Sequence, residues 1–163
     1  MISKIVPCLW FNTQAEEAAR FYVGIFKDSR ITQISYYPDE GSDVHGKAAD
    51  SVLMVTFELE GQSFSALNGG PQFKFSPATS LQIMCETQAE IDCYTEKLGE
   101  GGDPSAQQCG WVEDKFGFSW QIVPTIVPEL LKDHESAAGR RVFAAIMDMK
   151  KIDIAALQRA YAG

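Results

Sequence analysis

The chain has 163 residues, a formal net charge of −8 and 45% hydrophobic residues, enough for one domain or for two small modules sharing a core. The acidic balance argues against nucleic acid, whose phosphates are held by clustered lysine and arginine. No apolar run approaches the roughly 20 residues of a membrane span, so neither a nucleic acid nor a membrane is an expected partner. MISKIVPCLWF lacks the apolar core and cleavage pattern of a signal peptide. A cytoplasmic location with reduced thiols is therefore expected for Cys8, Cys85, Cys93 and Cys109. No two of these form a CxxC pair, which argues against a cysteine-built zinc site.

In chain order, residues 4–11 (KIVPCLWF) read as a strand. Thr13 and Glu16 then predict a capping box for a helix over about 14–26, the threonine accepting from the third helical amide and the glutamate reaching back. ITQISYY (31–37) is a second strand, and the polar stretch from Pro38 to Asp50 is a loop. SVLMVTFELEG and QSFSALNGGP predict two strands turning tightly at Glu60-Gly61. A second cycle starts with SLQIMCE (80–86), followed by a second capping box from Thr87 and Glu90 and a helix ending at Gly99. CGWVEDK (109–115) and GFSWQIVP (117–124) form a closing hairpin. Beyond Pro128 only helical spacing remains, with Asp153 capping the last helix.

The tetrapeptide TQAE therefore opens two helices, and a second correspondence supports a duplication. Gly61-Gln62-Ser63-Phe64-Ser65 matches Gly117-Phe118-Ser119-Trp120-Gln121 as glycine, any residue, serine, aromatic and short polar. Cap and closing strand lie 48 residues apart in the first half and 30 in the second, so the second copy has a shorter middle.

With FNTQAEEAARFY near the start, LNGGP in the middle and CGWVEDKFGFSWQIVP near the end, the chain resembles the vicinal oxygen chelate superfamily. Within it, the closest resemblance is to the PhnB-like family labelled as demethylubiquinone methyltransferases. The resemblance implies an α+β fold: two βαβββ modules (about 4–68 and 80–124) forming a curved mixed sheet, the glyoxalase/bleomycin-resistance fold. A helical extension over 125–163 would pack on the same domain, and a homodimer is expected. Members with metal chemistry place ligands on the first and last strands of each module. Here those positions fall on Pro7, Ser65, Ser80 (or Leu81) and Gln121, of which only Gln121 could ligate, so no metal and no other cofactor is expected. A methyl-donor site of Rossmann type would need a glycine-rich strand-to-helix turn, which Gly69-Gly70 and Gly101-Gly102 do not provide. The methyltransferase label is not supported by the residues.

The same alignment implies a concave cup lined by Pro7, Leu9, Ser63, Ser65, Asn68, Ser80, Gln82, Trp111, Ser119 and Gln121, with Val6, Trp10, Phe64, Phe118, Trp120 and Ile122 as core. Such a nearly uncharged cup suits a small neutral or aromatic molecule, although its serines and glutamines could equally bond neighbouring backbone. Glu113 shares a strand face with Trp111 and Cys109. A carboxyl beside a tryptophan in a closed cup would have a raised pKa and could act as a general base, with Cys109 as a second catalytic candidate. A metal-free binding protein, an enzyme of this superfamily and a structural module with an interacting tail are all open on this reading.

Overall fold

The structure is a computed structural model that describes residues 4–163, and the chain divides into two compact units, Met1–Lys74 and Phe75–Gly163. In the first unit, β1 (Cys8–Phe11), α1 (Ala15–Ile25), β2 (Arg30–Tyr36), a short α2 (Ser42–His45), β3 (Val52–Leu59) and β4 (Gln62–Asn68) follow in order. The sheet order is β1-β4-β3-β2, with β1 parallel to β4 and the other pairs antiparallel. The short helix lies in the stretch expected to be loop. Alternation along β3 and β4 buries Val55, Phe57, Leu59, Phe64 and Ala66 against α1. Three fully buried alanines, Ala15, Ala18 and Ala19, leave room for Tyr22, which stacks on Phe57 at 6.3 Å between ring centroids. The hairpin turns where expected: Glu60 and Gly61 both take positive φ, 47° and 81°, the signature of the tight turns whose twist matches the strands.

The side chains of β1 lie one residue out of the expected phase. Cys8 pairs with Ser65 and Trp10 with Leu67, so Cys8 and Trp10 lie on the open face. Leu9 and Phe11 are 6% and 3% exposed on the helix-covered face. Leu9 is therefore core rather than cup, and Cys8 is exposed. Val6, expected in the core, is exposed too. Trp10 donates from Nε1 to the Gly70 carbonyl at 2.8 Å. A Cβ at Gly69 would sit 2.2 Å from the Trp10 ring, which is why a glycine follows Asn68.

Helix α1 is not capped by Thr13; no side chain at its own N-terminus caps it. Instead Asn68, 53 residues away, accepts from the Ala15 N–H through Oδ1 at 2.8 Å. The Asn68 Nδ2 donates to the Val52 carbonyl at 3.0 Å, and its own carbonyl accepts from the Tyr37 hydroxyl at 2.8 Å.

The second unit holds β5 (Ser80–Cys85), α3 (Gln88–Gly99), β6 (Trp111–Glu113) and β7 (Ser119–Pro124), in sheet order β5-β7-β6. The α+β reading stands, but this module is βαββ, one strand short of the repeat. A single 3-10 turn (Pro104–Ala106) occupies the interval before β6, and Gly102 there comes so close that a Cβ would meet the Glu113 carbonyl oxygen at 1.9 Å. The second capping box is present: the Glu90 N–H donates to Thr87 Oγ1 at 3.2 Å and the Thr87 N–H to Glu90 Oε2 at 3.1 Å. The β6–β7 turn is organised by Asp114, 1% exposed. Its Oδ1 accepts from the Phe116 and Phe118 amides at 2.9 and 3.1 Å, and its Oδ2 from Trp120 Nε1 at 2.8 Å.

The tail forms α4 (Val127–Leu130), α5 (Ala137–Asp148) and α6 (Ile154–Ala162), with Ser136 and Asp153 as side-chain caps of the last two. Val142, Ile146, Ile152 and Leu157 make a second small core on which Cys109, Leu130 and Leu131 pack. Gln88 clasps the tail, donating to the Ile152 carbonyl at 3.0 Å and accepting from the Ile154 N–H at 2.9 Å. Among the described residues no helix is long and apolar enough to cross a membrane.

Candidate functional site

In the second unit, strand pairing places Glu113 opposite Ser119 and Trp111 opposite Gln121, and Ser80 opposite Ser119 and Gln82 opposite Gln121. All six side chains therefore share one face, away from the core formed by Val112, Trp120 and Ile122. At the β6–β7 end of this face lies a cavity of about 410 Å³, within the size range of small-molecule sites. Trp111, Glu113, Ser119 and Cys109, all expected from the sequence, line it together. Pro77, Ala106, Gln108 and Met147 complete the wall with Val112, so the surface is mainly apolar.

Two backbone features hold Cys109 at the rim. Cys109 and Gly110 take consecutive left-handed conformations, φ 54° and 83°, a geometry that is costly for a residue with a Cβ. The carbonyls of Met149 and Lys150 accept from their amides at 2.7 and 2.8 Å. Gln108 Nε2 donates to the Met147 carbonyl at 2.7 Å. The end of α5 is thus tied to the cavity wall, and Met147 comes with it. Sequence reasoning missed Met147 and Gln108; an exposed methionine next to the buried Ile146 on an amphipathic helix signals a solvent face until the tail is docked.

The other expected site residues lie elsewhere. Gln82 Nε2 donates to Gln121 Oε1 at 3.2 Å, and Gln121 Nε2 to Ser80 Oγ at 2.7 Å, a chain along the open face outside the cavity lining. Ser63 and Ser65 lie on the open face of the first unit, with Ser65 Oγ 3.4 Å from the Pro7 carbonyl; Pro7 precedes β1 and is half-buried. Asn68 is not a cup residue: it is 6% exposed on the helix-covered face, and both ends of its amide are bonded to backbone.

Of the ligand positions of the fold, one carries a side chain that suits a divalent cation, the exposed Cys8 thiol, and the others carry a hydroxyl and two amides. The row across β1 and β4 carries Cys8 and Ser65. The row across β5 and β7 carries Gln82, rather than Ser80 or Leu81, beside Gln121, and the Gln121 carbonyl oxygen is already taken by Gln82. Among the described residues no three His, Cys, Asp or Glu side chains converge as a metal site. Neutral amides and hydroxyls are poor donors for zinc and similar ions.

The electrostatics of the cavity are set by Glu113, the one carboxylate on its wall; no lysine or arginine lines it. The nearest cation in sequence, Lys115, lies over the Phe116 ring at 5.1 Å from its centroid. Asp92 is held below the usual range by the Lys151 hydrogen bond and then by Gln88, and Asp103 by its bonds to Ser105. Asp92 and Lys151 border a wider, open depression of about 700 Å³ beside α3.

Comparison with known proteins agrees with this architecture. The 3-demethylubiquinone-9 3-methyltransferase family matches residues 3–123. The PhnB protein from Bacillus cereus is 36% identical over 75% of this chain and 99% of its own, with a TM-score of 0.63. A Pseudomonas aeruginosa protein at 20% identity, covering 76% of this chain and 98% of its own, has a TM-score of 0.58. The fosfomycin resistance protein FosX from Mesorhizobium loti, at 17% identity and covering 76% and 92%, has a TM-score of 0.51. These last two show the fold alone. No curated protein matches the chain. With two related sheets, each closed by a Gly-x-Ser-aromatic strand, and a family match over most of its length, the chain belongs to the PhnB-like 3-demethylubiquinone-9 3-methyltransferase family, on the glyoxalase/bleomycin-resistance fold.

Proposed function

We propose that this chain binds a small molecule with an aromatic or apolar body in the cavity at the β6–β7 end of the second sheet, without a resident metal ion. The observation that carries the reading is the convergence of Trp111, Met147 and Cys109 around a cavity of about 410 Å³ with only Glu113, Ser119 and Gln108 as polar contacts. Apolar walls supply affinity through burial, and a few polar groups fix orientation. The methyl-transfer activity in the family's name has no support in these residues, because no glycine-rich turn for a methyl donor is present. The test is a ligand screen on the full chain, read by thermal shift and by quenching of indole fluorescence. Trp111→Ala should abolish the shift of a true ligand, and a hit unaffected by Trp111→Ala counts against this cavity.

A second reading, catalysis, is favoured by one further observation: Glu113 and Cys109, a base and a nucleophile by type, line the same cavity. Once a ligand is turned over, Glu113→Gln and Cys109→Ser should each lower kcat. Unchanged turnover in both variants would leave binding as the cavity's role.

A further inference from the structure

We infer that the molecule this cavity takes is a small organic cation, an ammonium group carried on an aromatic or aliphatic body. The inference rests on the proposed binding role and adds the charge of the ligand. Among the described residues the Glu113 carboxylate has no hydrogen-bond or ion-pair partner, and it is the only ionic group on the cavity wall. It is half-buried beside Trp111.

A ligand filling the cavity must strip water from that carboxylate. A neutral ligand leaves the carboxylate dehydrated without compensation, and an anion adds repulsion. An ammonium group replaces the lost water with an opposite charge, so the cation is favoured by the very step that penalises the others. The rest of the wall points the same way. The Trp111 indole presents the side-chain type that attracts cations most strongly. Met147 lies in the last turn of α5, which ends at Asp148, so the negative end of the helix dipole lies at the cavity. The chain's net charge of −8 biases encounter in the same sense.

Three probes of nearly equal size separate the possibilities: 2-phenylethylammonium, 2-phenylethanol and phenylacetate, titrated into the full chain at pH 7 and followed by indole fluorescence and by backbone amide shifts of 109–119. The ammonium compound should bind about 10-fold or more tighter than the alcohol, with no detectable binding of the acid. Glu113→Gln should reduce that preference to within about 3-fold, chiefly by weakening the ammonium compound, with a urea midpoint near the parent's showing that the variant is folded. Equal binding of ammonium and alcohol, or tighter binding of phenylacetate, overturns the cation inference and leaves the cavity reading standing. Failure of all three probes together with an empty ligand screen overturns both.

Discussion

The two TQAE segments make a controlled experiment on helix capping. Thr87 caps α3 in a complete box, whereas Thr13 makes no side-chain cap to α1, whose first amide is held by Asn68. Thr87→Ala removes a working cap and should cost about 1 kcal/mol. Thr13→Ala removes an exposed threonine that caps nothing, and should cost less than about 0.5 kcal/mol. Asn68→Ala strips the partners of two backbone groups, the buried Ala15 N–H and the half-buried Val52 carbonyl. At about 1–3 kcal/mol for each orphaned group, the loss is about 2–6 kcal/mol. Urea unfolding supplies the three free energies, and with a slope of about 1–3 kcal/mol/M the Asn68 variant should lose about 1 M or more of midpoint. Amide exchange adds a local check: Ala15 should lose protection in Asn68→Ala and keep it in Thr13→Ala. Equal costs for Thr13→Ala and Thr87→Ala, or a protected Ala15 amide without Asn68, would refute the long-range cap.

Further outcomes follow from other features. Asp114→Asn keeps one acceptor but turns an amide N–H toward either the Phe116 and Phe118 amides or Trp120 Nε1; unfolding should show a loss of about 2–4 kcal/mol, and a loss below about 1 kcal/mol would mean that the carboxylate is dispensable to the turn. Asp92 has a depressed folded pKa owing to Lys151, so its contribution is present above the unfolded pKa and is lost as pH falls through the folded one. Lys151→Ala should move the Asp92 midpoint upward in a carboxyl NMR titration, and an unmoved midpoint would contradict the bond. Phe143 is 55% exposed on α5, and we expect a second copy to cover it; sedimentation should give a dimer for the parent chain and a monomer for Phe143→Glu, and a monomeric parent would remove the expectation.

Much of this structure is legible in the sequence, and the gaps have physical causes. Along β4 to β7 polar and apolar residues alternate, so once the family resemblance sets the phase, Ser80, Gln82, Trp111, Glu113, Ser119 and Gln121 fall on one face, as they do in the strand pairing. In β1 the run Cys8-Leu9-Trp10-Phe11 is apolar on both faces, and nothing local sets the phase of the strand. The cap by Asn68 spans 53 residues, beyond the reach of any local motif. In an asparagine followed by two glycines, turn chemistry is the visible signal and the buried amide is not. Met147 reaches the cavity only because backbone carbonyls at 147–150 dock on 108–110, and backbone bonding of that kind leaves no trace in side-chain composition.

The interval before β6, where Gly102 presses on the Glu113 carbonyl, has a consequence for how the chain behaves in crowded solution. A three-residue border strand offers few free peptide groups to a passing molecule, and a glycine-containing segment packed on it leaves little room for one to add itself there. Along this border the shorter module therefore offers little for another strand to join, and a bulky side chain at position 102 would push the covering segment away and open β6 to ordered self-association.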